Sequence, residues 1–318
     1  MAGQAPFFIV GAGRSGTTLL RLILTGHSRL HIPPETWFLR DLVREFPLTG
    51  ALAQPRVERA VEIMVRHERW PDLGLDADAV RARTAALPAS AGLRDAIELV
   101  SRLLLQQSGK ARLGDKTPHY FEIVPELATL FPDAAFIYLV RDGHDVAISW
   151  IDAGWQRYYQ PGFEWPRAMA CLRRDRLAYP NRVLDVRYEN LLRHPEQTVR
   201  RICDFLEEQY EPAMLAWQAR LDQVAARDRH LHAGLSKPLT DDAVAAWRRR
   251  LSAGECFAME ACLHRELTAG AYPLLFKARI WTPLFAITAS ALRLLAPILR
   301  RAFPYLQKRG MLPQAVYY

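Results

Sequence analysis

Short, wholly apolar runs alternate along this chain with longer stretches in which apolar residues recur at helical spacing. That pattern predicts strands and helices in alternation, an α/β architecture with a central, mainly parallel sheet flanked by helices. Pro6 to Val10 (PFFIV) reads as a first buried strand, and Thr17 to Thr25 (TTLLRLILT) as a helix with Leu20, Ile23 and Leu24 on one face. Residues 41–109 are helical in character, interrupted by Pro55, Pro71 and Pro88. A second strand-like run ends near Leu113. Ala134 to Val140 (AAFIYLV) is the clearest strand, and residues 144–152 read as the helix after it. Arg182 to Tyr188 (RVLDVRY) makes a fourth strand, followed by a helix starting near Pro195. There is no internal repeat and no long linker before residue 275, so residues 1–275 are expected to form one domain.

Residues 276–318 differ. Ile280 to Leu299 is mostly apolar but broken by Pro283, Arg293 and Pro297, with basic residues on both sides. A membrane-spanning helix needs about 20 predominantly apolar residues, and this run barely reaches that length with a charge inside it. Two readings stay open: a helix packed on its own domain or a second subunit, and an interfacial helix at a membrane surface.

Composition narrows the rest. The net charge of +8 suits an anionic partner without choosing among nucleotide, nucleic acid and anionic membrane. Nucleic acid has charge alone behind it and no motif, so it is not expected. The cysteines at 171, 203, 256 and 262 form no CxxC pair and no zinc-like spacing with histidine, so neither a disulfide framework nor a metal is expected. The first ten residues lack a basic, then apolar, leader pattern, which predicts a cytoplasmic catalytic part, with peripheral attachment at the inner membrane face if the tail is interfacial.

Two segments carry the chemistry. Gly11-Ala12-Gly13-Arg14-Ser15-Gly16-Thr17-Thr18 lies between the first strand and the first helix, where backbone N–H groups converge on a phosphate at a positive helix end. It is like the nucleotide loop G-x-x-x-x-G-K-[ST], but Thr17 stands at the lysine position and Arg14 is the nearest strong cation. The second segment, Arg141-Asp142-Gly143-His144-Asp145, follows the third strand at its carboxyl end, where ligands bind in open parallel sheets. Ser149 comes about two helical turns later. An arginine fork and a hydroxyl suit a second phosphate, and two phosphate sites on one sheet suit a nucleotide bisphosphate.

At these two segments the sequence resembles the sulfotransferase superfamily that uses 3′-phosphoadenosine-5′-phosphosulfate (PAPS), and within it the tyrosylprotein sulfotransferases and related bacterial enzymes. The resemblance runs from Arg14-Ser15-Gly16-Thr17-Thr18 through Pro34-Glu35-Thr36, Asp115-Lys116, Arg141-Asp142-Gly143 and Ser149. It continues at Val186-Arg187-Tyr188-Glu189-Asn190-Leu191 and at Lys237-Pro238 with Trp247 after it, covering about residues 6–273. It implies a P-loop-like three-layer fold without a metal, in which Gly13, Arg14, Ser15, Gly16, Thr17 and Thr18 bind the 5′-phosphosulfate. It further implies that Arg141 and Ser149 bind the 3′-phosphate, that Tyr188 lies near the nucleotide and that Lys237 closes over the phosphates. Two positions depart from the pattern: many cytosolic members carry lysine where Arg14 stands, and the tyrosylprotein enzymes carry a further arginine where Ala153 stands.

Transfer of a sulfuryl group to a hydroxyl, leaving 3′-phosphoadenosine-5′-phosphate (PAP), needs a base for the acceptor and positive charge for the leaving phosphate. The resemblance places a catalytic glutamate at Glu35, and Arg14 and Lys116 are the candidates for the charge. His31, His27, His119 and His144 are rival bases. The aromatic residues at 150–165 (Trp150, Trp155, Tyr158, Tyr159 and Trp165) are a candidate acceptor platform. A glycan or glycolipid is the favoured acceptor, with protein tyrosine as the alternative. A small-molecule P-loop kinase or NTPase would need the missing lysine and a magnesium ligand, for which only Asp115 offers itself. A binding protein with a decayed site would not keep Arg14, Glu35, Lys116, Arg141 and Ser149 together.

Overall fold

A computed structural model describes residues 4–155, 163–236, 240–276, 284–285, 287–292 and 294–295. In chain order the main elements are β1 (Phe7–Val10), α1 (Thr17–Thr25), β2 (Leu30–His31), α2 (Leu39–Glu45), α3 (Gln54–Arg66), α4 (Ala77–Thr84), α5 (Leu93–Ser108) and β3 (Arg112–Lys116). They continue with α6 (Val124–Leu130), β4 (Ala135–Val140), α7 (Gly143–Asp152), α8 (Trp165–Ala178), β5 (Val183–Arg187), α9 (Tyr188–Arg193), α10 (Pro195–Phe205), α11 (Trp247–Arg250) and α12 (Ala253–Ala269). The chain divides into two compact units.

The first unit comprises Met1–Gly11, Gly16–Leu139 and Cys171–Leu239. It holds a five-stranded sheet in the order β2-β3-β1-β4-β5, and β1 runs parallel to both β3 and β4, as β2 does to β3. The α/β expectation holds. The central strands are buried on both faces: Phe7, Ile9, Phe136 and Ile137 have no exposed surface, and Phe8 stacks on Phe136 with centroids 5.5 Å apart. Each such side chain stabilises the fold by about 1.5–3 kcal/mol relative to exposure, an upper figure because the unfolded chain is not fully extended. All nine residues of α1 are buried, Arg21 among them. Its guanidinium is satisfied by the carbonyls of Ile32 at 3.2 Å and Gln223 at 2.6 Å.

Local departures from the sequence reading have physical reasons. The second predicted strand does not stop near Leu113 but continues through Gly114, Asp115 and Lys116, where polar side chains find buried partners. Pro55 does not interrupt a helix. It lies in the first turn of α3, where its missing N–H costs nothing.

The second unit comprises Ala12–Ser15, Val140–Ala170 and the chain from Thr240 onward. Its core gathers Ile148 of α7, Trp247 of α11 and Cys256 of α12, with Ala245, Leu251 and Phe276 packed against them. Ser252 caps α12 by accepting from the Glu255 N–H, and the Glu255 carboxylate accepts from the Ser252 N–H. Among the described residues none of the four cysteines is in a disulfide, and no group of acidic, histidine or cysteine side chains is placed to hold a metal.

Candidate functional site

In a parallel sheet the carboxyl ends of the strands are where loops can present side chains to a ligand. Here the glycine loop follows β1, Glu35 follows β2, Lys116 ends β3, Arg141 follows β4 and Tyr188 follows β5. Each unit carries its own cluster.

In the first unit, Glu35 stands on the irregular segment between β2 and α2. Its Oε1 pairs with Lys116 Nζ, and its Oε2 accepts from Trp37 Nε1 at 2.7 Å. Lys116 also donates to Thr18 Oγ1 at 3.2 Å, in the first turn of α1. One ammonium therefore ties the candidate base to the helix that the glycine loop opens. A buried network holds this arrangement. Thr36 Oγ1 donates to Asp115 Oδ2 at 2.6 Å and lies 2.7 Å from the Tyr120 hydroxyl, while the Thr36 N–H donates to Thr117 Oγ1 at 3.1 Å. Buried hydrogen-bond networks of this kind hold one geometry, and in this one only Asp115 Oδ1 lacks a hydrogen-bond partner among the described residues.

The electrostatics follow from burial and pairing. Burial pushes the Glu35 carboxyl up, but the charge and hydrogen bond of Lys116, the Trp37 N–H and the charge of Arg69 outweigh it and hold the group below the usual carboxylate range. Burial pulls the Lys116 ammonium down, and the Glu35 charge restores only part of that. The Glu35 carboxyl is therefore ionised at neutral pH. Asp115, with no comparable cation in contact, is pushed up to about 6 by burial.

The glycine of the loop's turn is required. Gly16 has φ +98°, and a Cβ there would lie 2.5 Å from the ring carbons of Tyr188. Tyr188 thus packs directly on the loop. His31, the rival base nearest in sequence, is pushed down to about 4 by burial, with the Arg21 and Lys110 charges adding to it, and is neutral at pH 7. His27 Nε2 lies 2.8 Å from the Gln209 carbonyl, and His119 packs against Trp37 at 4.6 Å between centroids.

In the second unit, Arg14 adopts φ 69°, uncommon for a residue with a side chain, and its Nε donates to Ser149 Oγ at 3.2 Å. Arg141 donates to the Arg14 carbonyl at 3.2 Å and to the Ala243 carbonyl at 3.1 Å. Arg14, expected at the 5′-phosphosulfate, and Ser149, expected at the 3′-phosphate, are thus in contact. The Gly13 carbonyl accepts from Trp150 Nε1 at 2.9 Å, and the Gly13 N–H donates to the Glu164 carboxylate. A loop amide thus already holds an oxyanion. The Ser15 hydroxyl, 1% exposed, has no hydrogen-bond partner among the described residues and is a further donor in the loop.

The same unit explains His144. It is fully buried, held by Asp142 at 2.8 Å and Glu260 at 3.4 Å, and stacked on Trp247 at 4.4 Å between centroids. Burial alone would pull its imidazole down, but the two carboxylates raise it to about 9. It is a buried cation that binds α7 to the segment after residue 240. Trp247 completes the knot, donating to Asp142 at 3.1 Å and to Asp145 at 3.0 Å. Trp37, Glu164 and the His144 knot were missed by sequence reasoning. Only Trp37 left a usable signal, an indole N–H two residues from a candidate carboxylate. Lys237, Tyr158 and Tyr159 lie outside the described residues.

Residues 6–212, well over half of the chain, match the family model described as Sulfotransferase family. The chain belongs to the sulfotransferase family. It is similar to nodulation protein NoeE of Sinorhizobium fredii, at 27% identity over 285 residues that cover 78% of this chain and 61% of that protein. It is also similar to protein-tyrosine sulfotransferase 1 of Danio rerio, at 28% identity over 215 residues that cover 65% of this chain and 54% of the relative. The chain thus spans less than two thirds of the length of either curated relative. Among solved structures, the sulfotransferase domain of the Synechococcus PCC 7002 olefin synthase superposes with a TM-score of 0.61 at 25% identity, covering 86% of this chain and 97% of that one. This sulfotransferase-family chain carries every candidate site residue except Lys237 inside the matched stretch.

Proposed function

We propose that the protein transfers the sulfuryl group of PAPS to an acceptor hydroxyl, with Glu35 as general base. The observation that carries the reading is the Glu35–Lys116–Thr18 chain, in which a buried ammonium links a carboxylate to the helix opened by the anion loop. PAPS supplies the sulfuryl group and leaves as PAP. The chain's residues suit such an anion: a loop amide already holding a carboxylate, a buried hydroxyl without a partner at Ser15, and two arginines, Arg14 and Arg141.

In this reading Gly13, Arg14, Ser15, Gly16, Thr17 and Thr18 hold the 5′-phosphosulfate, Arg141 and Ser149 the 3′-phosphate, and Tyr188 and Lys237 the nucleotide. Glu35 takes the acceptor's proton as the new oxygen–sulfur bond forms and the bond from sulfur to the bridging phosphate oxygen breaks. Lys116 and Arg14 offset the charge left on that oxygen. A carboxylate held below its usual range is a weak base. Any negative charge that draws Lys116 toward itself removes the main pull on Glu35 and raises its basicity where proton transfer needs it.

A glycan or glycolipid is the acceptor we favour. Trp155 is 37% exposed, lies edge-on to Trp150 at 5.1 Å and sits beneath the Arg14 guanidinium at 5.8 Å, offering an aromatic face beside the anion loop. The donor is tested by calorimetric titration with PAP, and with ATP or GTP plus magnesium, in wild type and Arg141→Ala. Magnesium-independent binding of PAP alone, weakened in the variant, supports the reading, and preference for ATP or GTP refutes it. Radiolabelled PAPS offered with glycans, glycolipid extracts and tyrosine peptides then separates the acceptor classes.

A further inference from the structure

The positive charge of this chain is not spread along it. After Glu266 there is no Asp or Glu, while seven basic residues fall between Lys277 and Arg309. Residues 1–266 hold 35 basic side chains against 34 acidic, so nearly all of the +8 belongs to the last 52 residues. The same stretch contains helical residues with two unlike faces. Phe285 has no exposed surface and packs on Phe257 at 5.1 Å and His264 at 5.2 Å, and Ala289, one turn later, is 8% exposed. Leu284, Ile287, Leu294 and Leu295 are 47, 67, 77 and 47% exposed.

We propose that this face docks on the surface of an anionic lipid bilayer, with the helix lying in the interface. Exposed aliphatic side chains on one face, in a stretch whose sequence is basic before and after them, are what an interfacial helix needs, apolar burial and headgroup attraction acting together. Charge decides against a second copy of the chain, because two stretches each carrying seven cations and no acid repel. Packing decides against a membrane-spanning state. Phe285 and Ala289 are already committed to the second unit, and among the described residues no helix is long and apolar enough to cross a membrane. Trp281 lies at the start of the apolar run and Tyr305 beyond its end in sequence, and these residue types favour the headgroup level. The inference stands on charge and burial and does not depend on the reaction catalysed.

The test is cosedimentation of the full chain with phosphatidylcholine vesicles, with and without about a third phosphatidylglycerol, at low and high salt. Binding only to the anionic vesicles, and less at high salt, is expected. Ile287→Ser/Leu294→Ser should abolish it, and Arg300→Gln/Arg301→Gln/Lys308→Gln should weaken partitioning about a hundredfold, with thermal midpoints unchanged in both. Equal binding to neutral vesicles, or binding indifferent to both variants, overturns the proposal. So does absence of vesicle binding, whether or not sedimentation equilibrium then reveals a dimer or a captured acidic protein on this face.

Discussion

Changing Glu35 to Gln removes one negative charge from a buried pair while keeping the side chain's shape and its contact with Trp37. The structure assigns this single change two separable consequences. Loss of the base should lower kcat by about 10²–10⁴-fold with PAP affinity unchanged, the usual contribution of a positioned general base. Loss of the pair leaves Lys116, whose side chain is 4% exposed, uncompensated. Breaking a fully buried ion pair costs about 3–5 kcal/mol, and since Glu35 keeps some solvent contact, about 2–4 kcal/mol is expected here. The pH dependence identifies the cause. The wild-type carboxyl is held low, so its contribution is complete above the ordinary carboxylate range and is lost only as pH falls through its depressed folded value. In the variant, Lys116 without its anion is pulled further below its ordinary value than it already is in wild type, so the variant's stability relative to wild type should rise from pH 7 to 9. Urea unfolding at both pH values, with transfer rates at saturating donor, reads both effects. Glu35→Gln/Lys116→Met should recover most of the stability and none of the activity. A Glu35→Gln enzyme within tenfold of wild-type kcat would refute the assignment of the base, and a matching loss in His31→Ala would move it to the histidine.

Three further outcomes follow from the geometry. Arg141→Ala should weaken PAP binding by at least about thirtyfold, since a charge-assisted contact to phosphate contributes about 2 kcal/mol or more, and excess EDTA should leave wild-type binding unchanged by calorimetry. Gly16→Ala should lower both the thermal midpoint and PAP affinity, because the added methyl meets the Tyr188 ring at 2.5 Å and φ +98° disfavours any side chain; Tyr188→Ala should relieve the clash but not the backbone strain. His144, raised to about 9, contributes stability that is complete below the imidazole's unfolded value of about 6.5 and is lost as pH rises through 9. Urea midpoints should therefore fall between pH 7 and 9.5 in wild type and lose that slope in His144→Gln.

What could be read from sequence divides along one physical line. Local pattern captured α1 to the residue, because apolar spacing and the glycine turn before it are both local, and it captured β4 within one residue because an unbroken apolar run has no other use. It ended β3 three residues early. Gly114, Asp115 and Lys116 carry no apolar signal; they are strand because their backbone pairs with Phe7, Phe8 and Ile9 of β1, and their burial is tolerated because Asp115 meets Thr36 and Lys116 meets Glu35, partners 79 and 81 residues away in the chain. The two-residue β2, on the segment that leads to Glu35, was missed because it is too short for any periodic signal. The candidate site shows the same split. Residue types at the strand ends were legible as types, while most of what surrounds Glu35 was not: a buried lysine that it shares with α1 and, at the next residue, a threonine bonded to β3. The lysine and threonine contacts are long-range and satisfy buried polar groups, whereas the Trp37 donor is local and left a signal in the sequence. Burial alone pushes a carboxyl up, as it does Asp115 to about 6, whereas the charge and hydrogen bond of the shared ammonium outweigh burial and hold Glu35 below its ordinary value.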